Sequence, residues 1–102
     1  MYKFMALYKK PDDVSAFLEH YEKIHAPLAR KIPGLQKLVV NRITGNAFSG
    51  APPYFLIAEM HFATKEDFET AMRSDENKAT GKDAMKFAGG LITGLIAESA
   101  ES

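Results

Sequence analysis

The hydrophobic positions of this chain repeat with two different periods, and the changes of period predict the order of its elements. Four stretches are rich in aromatic, branched and other apolar residues, as strands are, namely residues 2–8, 35–43, 54–62 and 91–97. Between the first two stretches, apolar side chains from Val14 to Leu28 recur every three to four residues, which predicts an amphipathic helix. Between the last two, helical spacing begins after Thr64 and again after Ser74, both typical helix-capping residues.

Proline marks one irregular point in this pattern. Pro27 has no N–H to donate to the carbonyl of Lys23, so the first helix is expected to kink or end near His25 before a short continuation to Arg30. The order β-α-β-β-α-β predicts the ferredoxin-like α+β fold, an antiparallel four-stranded sheet with both helices on one face. We expect one domain over residues 1–97 and an unstructured tail over residues 98–102.

Both faces of the predicted sheet are apolar. Strand one carries Phe4 and Ala6 on one side but Met5 and Leu7 on the other, whereas a sheet with one solvated face normally alternates apolar and polar residues. One layer of helices covers only one face. We therefore expect the open face to pack against a second copy of the chain, giving a homodimer and a dimeric α+β barrel. The alternative is a monomer whose loops and tail cover the sheet.

Composition and motifs exclude several classes of function. The 102 residues carry 13 basic and 13 acidic side chains, so the basic excess typical of nucleic-acid binding is absent. The lack of cysteine excludes disulfides and thiolate metal sites. No apolar run reaches the roughly 18 residues of a membrane span, and the first residues lack signal-peptide features, so we expect a cytoplasmic protein without a membrane partner. No phosphate loop, dinucleotide motif or metal-ligand spacing occurs, so we expect no cofactor and no metal.

Two of the three histidines are candidates for acid–base chemistry. His25 falls in the apolar stripe of the first helix, whereas His20 lies at its edge. Burial would keep His25 neutral, so it could act as a base on a ligand between helix and sheet, or it could be a core histidine bonded to a backbone carbonyl. Glu59 and His61 project from one side of strand three about 7 Å apart, either as a catalytic pair or as an ion pair at the dimer interface.

Aromatic side chains complete the candidate site. Tyr8, Tyr21 and Tyr54 could donate a phenolic hydrogen bond to a ligand, Tyr21 as an aid to catalysis, or they could simply fill the core. Phe17 and Phe48 are assigned to ligand contact. Phe48 lies in residues 44–53, a connection too long for a tight hairpin that we expect to roof the pocket.

Residues 17–29, FLEHYEKIHAPLA, resemble the signature of the EthD family, in which a histidine precedes a Pro-Leu-Ala type segment at the end of the first helix. The segments YKKPDD and PGL and residues 62–90 also resemble that family, so the resemblance covers nearly the whole chain. It implies a ferredoxin-like homodimer with a pocket between sheet and helices. It also implies an association with degradation of ethyl tert-butyl ether or other xenobiotics.

Barrel families related to EthD include cofactor-free monooxygenases, lactone isomerases, polyketide cyclases and haem-degrading enzymes, and the fold does not choose among them. Our first hypothesis is an enzyme that acts without cofactor on a small apolar oxygenated or aromatic compound. The reaction would be dehydration, cyclisation, isomerisation or oxidation, with His25 as acid and base, helped by a tyrosine or by His61. The alternative is a non-catalytic small-ligand-binding or auxiliary protein of a degradation pathway.

Overall fold

A computed structural model describes residues 1–101 of the chain, and Ser102, the last residue of the predicted tail, lies outside the described residues. The elements in chain order are strand β1 (Tyr2–Tyr8), helix α1 (Val14–His20), a π-helical turn (Tyr21–His25), helix α2 (Ala26–Ala29), strands β2 (Lys37–Arg42) and β3 (Leu56–Phe62), helices α3 (Lys65–Met72) and α4 (Asp75–Ala88), and strand β4 (Ile92–Glu98). The ferredoxin-like α+β fold predicted from the sequence is confirmed.

The four strands form one antiparallel sheet in the order β2-β3-β1-β4. The register places Ala6 opposite Ala58 on β3 and Gly94 on β4. Since side chains alternate along a strand, the even-numbered residues of every strand share the face that carries the helices, here called the helix face. The odd-numbered residues form the other face, the open face.

The core lies on the helix face. Its largest fully buried side chains are Tyr8, Leu56 and Phe62, which lie on β1 and β3, the central strands of the sheet. Aromatic rings from the helices pack against them, with Phe17 5.4 Å from Tyr8 and Phe68 5.7 Å from Phe62 between ring centroids. Burial of these large apolar surfaces is the main stabilising contribution in a chain without disulfides.

The predicted helix starts coincide with side-chain caps. The carboxylate of Asp13 accepts a hydrogen bond from the N–H of Ala16 at 3.0 Å, and the hydroxyl of Thr64 accepts one from Asp67 at 3.1 Å. The hydroxyl of Ser74 does the same for Asn77 at 3.0 Å. Each cap satisfies a backbone donor that has no partner inside its helix, a contribution of about 1 kcal/mol.

The first helical region is irregular where a kink or an end was expected, and a short helix continues it beyond His25. The chain forms the π-helical turn there, in which the N–H of Ala26 donates to the carbonyl of Tyr21 five residues earlier. Because the turn ends at His25, Pro27 falls in the first turn of α2, where a missing N–H costs little. The helical region therefore continues to Ala29, and its side chains after the π-helical turn point in different directions around the helix axis than an uninterrupted α-helix would give.

The connection between β2 and β3 extends further than predicted, because β2 ends at Arg42 and β3 begins at Leu56. At its tip Phe48 is 98% exposed. None of the helices in residues 1–101 has the length and apolar composition that a membrane crossing needs.

Candidate functional site

A cavity of about 560 Å³ lies between the helix face of the sheet and the helical layer. This volume is within the 300–1,000 Å³ range typical of small-molecule sites. Most of the cavity wall is apolar, with Phe4 and Ala6 from β1, Ala58 and Met60 from β3, and Ala84 and Met85 from α4. A cavity of this kind favours a ligand that is itself largely apolar.

Five polar side chains reach the cavity, namely Tyr8, Tyr21, His25, Asn77 and Thr80. The amide of Asn77 donates to the carbonyl of Met72 at 3.2 Å, and the hydroxyl of Thr80 donates to the carbonyl of Glu76 at 2.8 Å. Within residues 1–101 the two tyrosine hydroxyls and Nε2 of His25 make no hydrogen bond to the protein. These three groups are therefore free to contact a ligand.

Asp83 on α4 joins two histidines at the edge of the cavity. Its Oδ2 atom lies 2.9 Å from Nδ1 of His25, and its Oδ1 atom lies 2.9 Å from Nε2 of His20. The ring of Phe87 packs beside both imidazoles, with centroids 4.5 Å from His20 and 5.0 Å from His25. His25 is buried, whereas the side chain of His20 is 28% exposed.

The π-helical turn explains how both histidines reach one carboxylate. In an α-helix, residues five positions apart point roughly 140° away from each other around the axis. In a π-turn, the bond from each N–H to the carbonyl five residues earlier brings such residues to the same side. His20 and His25 therefore face α4 together, an arrangement that regular helical spacing does not predict.

The electrostatics of this group favour one protonation state. Burial lowers the pKa of His25, although the hydrogen bond and charge of Asp83 oppose that shift. Burial of Asp83 disfavours its charged form, but hydrogen bonds from His25 and His20 outweigh this and lower its pKa. An ionised Asp83 accepts a hydrogen bond from the Nδ1–H group of a neutral His25, which leaves the lone pair on Nε2. His25 is therefore held in the tautomer of a general base.

The two cavity tyrosines are held as hydrogen-bond donors. Burial raises the pKa of Tyr21 to about 12, with Arg30 opposing the shift. Burial, then the nearby Tyr21 and Asp83, raise the pKa of Tyr8 further still. The two rings meet edge to face with centroids 5.9 Å apart. Both hydroxyls thus stay protonated at neutral pH and can donate to a carbonyl or enolate oxygen.

A second histidine–carboxylate group lies on the open face. Glu59 accepts hydrogen bonds from Lys3 at 3.1 Å and from Asn41 at 2.9 Å, and the Lys3 bond is the main reason that its pKa is lowered. Nε2 of the buried His61 is 3.3 Å from Oε1 of Glu59, but the angles are not those of a hydrogen bond, and this nitrogen has no partner among residues 1–101. Neither Glu59 nor His61 lines the cavity.

The structure brings three of the eight predicted site residues to the cavity wall, Tyr8, Tyr21 and His25. Phe17 lies behind both tyrosines in the core and supports their rings without lining the cavity. Tyr54 is half-buried in the connection, two residues before β3, and lies outside the cavity.

Two expectations about the site are wrong. His61 cannot assist His25, because as an odd-numbered residue of β3 it projects from the opposite face of the sheet. The connection containing residues 44–53 does not roof the cavity, since none of these residues lines it and Phe48 at its tip is exposed. The helices α2, α3 and α4 already form the wall opposite the sheet.

Sequence reasoning missed Asp83 and placed His20 outside the site. A signal for Asp83 was present, because it lies three residues after the buried Thr80 and four before Phe87, within the stripe that α4 turns toward the core. An acidic residue in such a stripe needs a buried partner. The role of His20 had no comparable signal, since it depends on the π-helical turn.

Comparisons with known proteins relate most of the chain to one family. The model of the EthD domain matches residues 9–90. The chain is 30% identical over 99 residues to an uncharacterised 11.0 kDa protein of Rhodococcus erythropolis from the thcB-thcC intergenic region, covering 96% of this chain and 94% of the relative. It is also 30% identical over 100 residues to 4-carboxymethyl-4-methylbutenolide mutase of Pseudomonas reinekei, covering 89% and 92% of the two chains.

Solved structures agree with this relationship. The chain is 51% identical to an ethyl tert-butyl ether d (EthD) family protein of Bacillus halodurans, with a TM-score of 0.93 over 98% of this chain and 99% of that one. A dimeric ferredoxin-like protein of unknown function from Thermobifida fusca is 14% identical, with a TM-score of 0.69 over 96% and 90% of the two chains. At that identity the second comparison concerns the fold alone.

Proposed function

This chain belongs to the EthD family, and from that premise we propose that it is an enzyme that moves a proton on a small oxygenated molecule without a cofactor. The proposal rests on one observation above the others. A buried histidine, His25, lines an apolar cavity with Nδ1 held 2.9 Å from the carboxylate of Asp83 and with Nε2 left free. This is the arrangement of a general base with its orienting carboxylate.

The proposed chemistry begins with Nε2 of His25 accepting a proton from a carbon next to a carbonyl group. The electron pair of the C–H bond moves into the carbonyl, and the oxygen becomes an enolate. Asp83 stabilises the imidazolium that forms, because its negative charge lies at the opposite nitrogen. The hydroxyls of Tyr8 and Tyr21 donate to the enolate oxygen.

Delivery of a proton from Nε2 of His25 to a different carbon completes an isomerisation, and exchange of that proton with solvent before delivery would introduce deuterium from D₂O. Atoms and electrons balance within the substrate, so no oxidant, reductant or cofactor is required. The relative from Pseudomonas reinekei is named as a mutase of a butenolide, a small unsaturated lactone with a carbonyl group. We therefore infer an isomerisation of a lactone or related enolisable compound, as a step in the breakdown of such compounds.

The wall of the cavity also limits the charge of the substrate. Within the part of the chain that the structure describes, no lysine or arginine lines the cavity. An anionic group there would have to lose its hydration without a cationic partner, which is costly. We infer a substrate that is uncharged, or that keeps any carboxylate at the mouth of the cavity.

Hydrogen–deuterium exchange tests this proposal directly. The purified protein is incubated in D₂O with α-angelica lactone, an uncharged methyl-substituted butenolide, and deuterium uptake and movement of the double bond are followed by NMR. We expect both to be faster than in buffer, and to return to the buffer rate in His25→Gln. Equal rates for the wild type and this variant would reject His25 as the base. Binding of the lactone without exchange would favour the alternative of a ligand-binding protein.

We further propose that two copies associate through the open face of the sheet. Leu95 on this face is 49% exposed, and Met5, Val39 and Ile57 on the same face are partly exposed. The charge of Glu59 in their midst is balanced by Lys3, 3.1 Å away, so the face can be covered without isolating a charge. A two-fold contact between identical faces would bury these apolar side chains. The Thermobifida fusca protein of the same fold is described as dimeric.

A further inference from the structure

The cavity opens to solvent between helix α4 and the edge strand β4. Almost all of its wall is buried or half-buried, and the exposed members of the wall are Gly81 and Met85 on α4 and Gly94 on β4. Two apolar side chains flank the opening in an exposed state, Met85 on α4 and Ile96 on the helix face of β4, each 64% exposed. An apolar rim of this kind suits the passage of an apolar ligand.

Gly81 has no structural reason to be glycine. It lies in the interior of α4, where glycine weakens a helix relative to alanine. It does not have the positive φ found at Gly34 and Gly50, and a Cβ atom added to it would meet no atom within 4 Å beyond its chain neighbours and the nearby backbone of its own helix. Gly89 on the same chain differs, because a Cβ there would approach the carbonyl oxygen of Met85 to 2.6 Å.

The place of Gly81 in the cavity wall supplies the missing reason. The residues of α4 that line the cavity, from Asn77 to Met85, follow helical spacing, and Gly81 is central among them. Any side chain at this position would extend into the open space at the mouth. Because glycine has no side chain, the opening stays wide on the side formed by α4.

We propose that the opening beside Gly81, here called the port, is where ligands enter the cavity, and that the small size of residue 81 determines which ligands enter. This inference rests on the proposed function in one respect, namely that the cavity is where the ligand binds. The ligand class is that of uncharged, largely apolar small molecules, which pass between α4 and β4. Gly81 is thus a specificity-determining residue that takes no part in proton transfer.

Gly94, on the opposite side of the mouth, has a different role. A Cβ atom there would lie 3.0 Å from Cζ of Phe4, so the Phe4 ring lies directly against this glycine. A side chain at position 94 would have to displace this ring, which itself lines the cavity. Gly94 therefore controls the space inside, whereas Gly81 controls entry.

Stopped-flow binding of 2-naphthol, followed by the fluorescence of the naphthol, tests the port. We compare the wild type with Gly81→Ala, Gly81→Leu and Gly81→Phe, and with Lys82→Leu and Lys82→Phe as controls at an exposed neighbour that does not line the cavity. The association rate constant should fall progressively with the size of residue 81, by at least tenfold in Gly81→Phe. The dissociation rate constant should fall with it, so that Kd changes less than either rate.

Several results would contradict the proposal that ligands enter beside Gly81. They are an association rate that is independent of residue 81, an equal decrease in the Lys82 controls, or no binding of 2-naphthol by the wild type. Gly81→Ala also checks the fold, because its Tm should rise above that of the wild type. Failure of the proposed function can be told apart from failure of this inference. In that case deuterium exchange of the lactone would not depend on His25, while 2-naphthol would still bind and its association rate constant would still decrease along the Gly81 series.

Discussion

Two histidine–carboxylate groups lie on opposite faces of the same sheet, and their differences show what makes such a group suitable for catalysis. On the helix face, Asp83 holds Nδ1 of His25, and the other ring nitrogen borders a cavity. On the open face, Nε2 of His61 is turned toward Glu59, yet it is buried and has no hydrogen-bond partner among residues 1–101. A carboxylate near an imidazole is common to both, but only the first combines it with a free nitrogen beside a cavity.

The neighbours of the two carboxylates differ as well. Glu59 is bonded to the ammonium group of Lys3 and the amide of Asn41, so its charge is already balanced. Asp83 is bonded to two imidazoles. Its negative charge is therefore available to an imidazolium at position 25, whereas that of Glu59 serves to hold the open face together.

The largest effect should come from removing the imidazole on the helix face. We expect His25→Gln to lower the exchange rate of α-angelica lactone by roughly 10²–10⁴-fold, the usual contribution of a general base. The matched variant His61→Gln should change it less than about threefold, because His61 is outside the cavity. A comparable loss in both variants would remove the distinction between the two groups. Circular dichroism of both proteins checks that the fold is kept.

The next effect should come from the carboxylates. In Asp83→Asn the imidazolium loses its negative partner, and we expect kcat/KM to fall roughly 100-fold, whereas Glu59→Gln should leave it near the wild-type value. In the wild type, kcat/KM should rise with pH and level off above the pKa of His25, which is lowered from 6.5. Because Asp83 opposes that lowering, Asp83→Asn should move the rise to still lower pH. A rise at unchanged pH would show that Asp83 does not act through His25.

A smaller effect, on association, should follow a charge placed on the open face. We expect Leu95→Asp to raise the dimer Kd by at least about 30-fold, since a two-fold contact would bury two unpaired carboxylates. Ile96→Asp is the matched control, because Ile96 is the next residue of β4 and projects from the helix face. Sedimentation velocity over a range of concentrations measures both. A wild type that remains monomeric, or an equal loss in the two variants, would contradict the proposed interface.

Much of the fold was predictable because its signals are local. The apolar run of β1, the caps at Thr64 and Ser74 and the apolar stripes of the helices each depend on neighbours within a few residues. The order of elements then leaves few topologies. The inward position of His25 followed from the same periodicity.

The rest of the site was not predictable, because it depends on a change of helical period and on contacts between distant residues. His20 and Asp83 are 63 positions apart, and they meet only because the π-helical turn rotates His20 toward α4. The same limitation applies to His61. Its spacing from Glu59 placed both side chains on one side of β3, but spacing within one strand does not say which face borders a cavity.

The smallest effect should appear in the pH dependence of stability, and it separates the two groups along the pH axis. The folded protein holds the pKa of His25 below 6.5, so the unfolded chain binds more protons as the pH falls below that value. The contribution of neutral His25 to the free energy of unfolding should therefore be complete above pH 6.5. It should decrease as the pH falls toward the pKa of His25 in the folded protein. The pKa of Glu59 is lowered from 4.5, so its stabilising contribution should be present above 4.5 and be lost only on further acidification.

Urea unfolding at a series of pH values measures these two decreases. His25→Gln should remove the decrease that begins near pH 6.5, because glutamine does not titrate, and should leave the later one. Glu59→Gln should reduce the decrease below pH 4.5 and leave the earlier one, with Asp83 supplying what remains because its pKa is lowered too. If instead Glu59→Gln altered the decrease near pH 6.5, the groups on the two faces would be coupled through the sheet. They would then have to be treated as one titrating system, and the separation between a catalytic face and an association face would no longer hold.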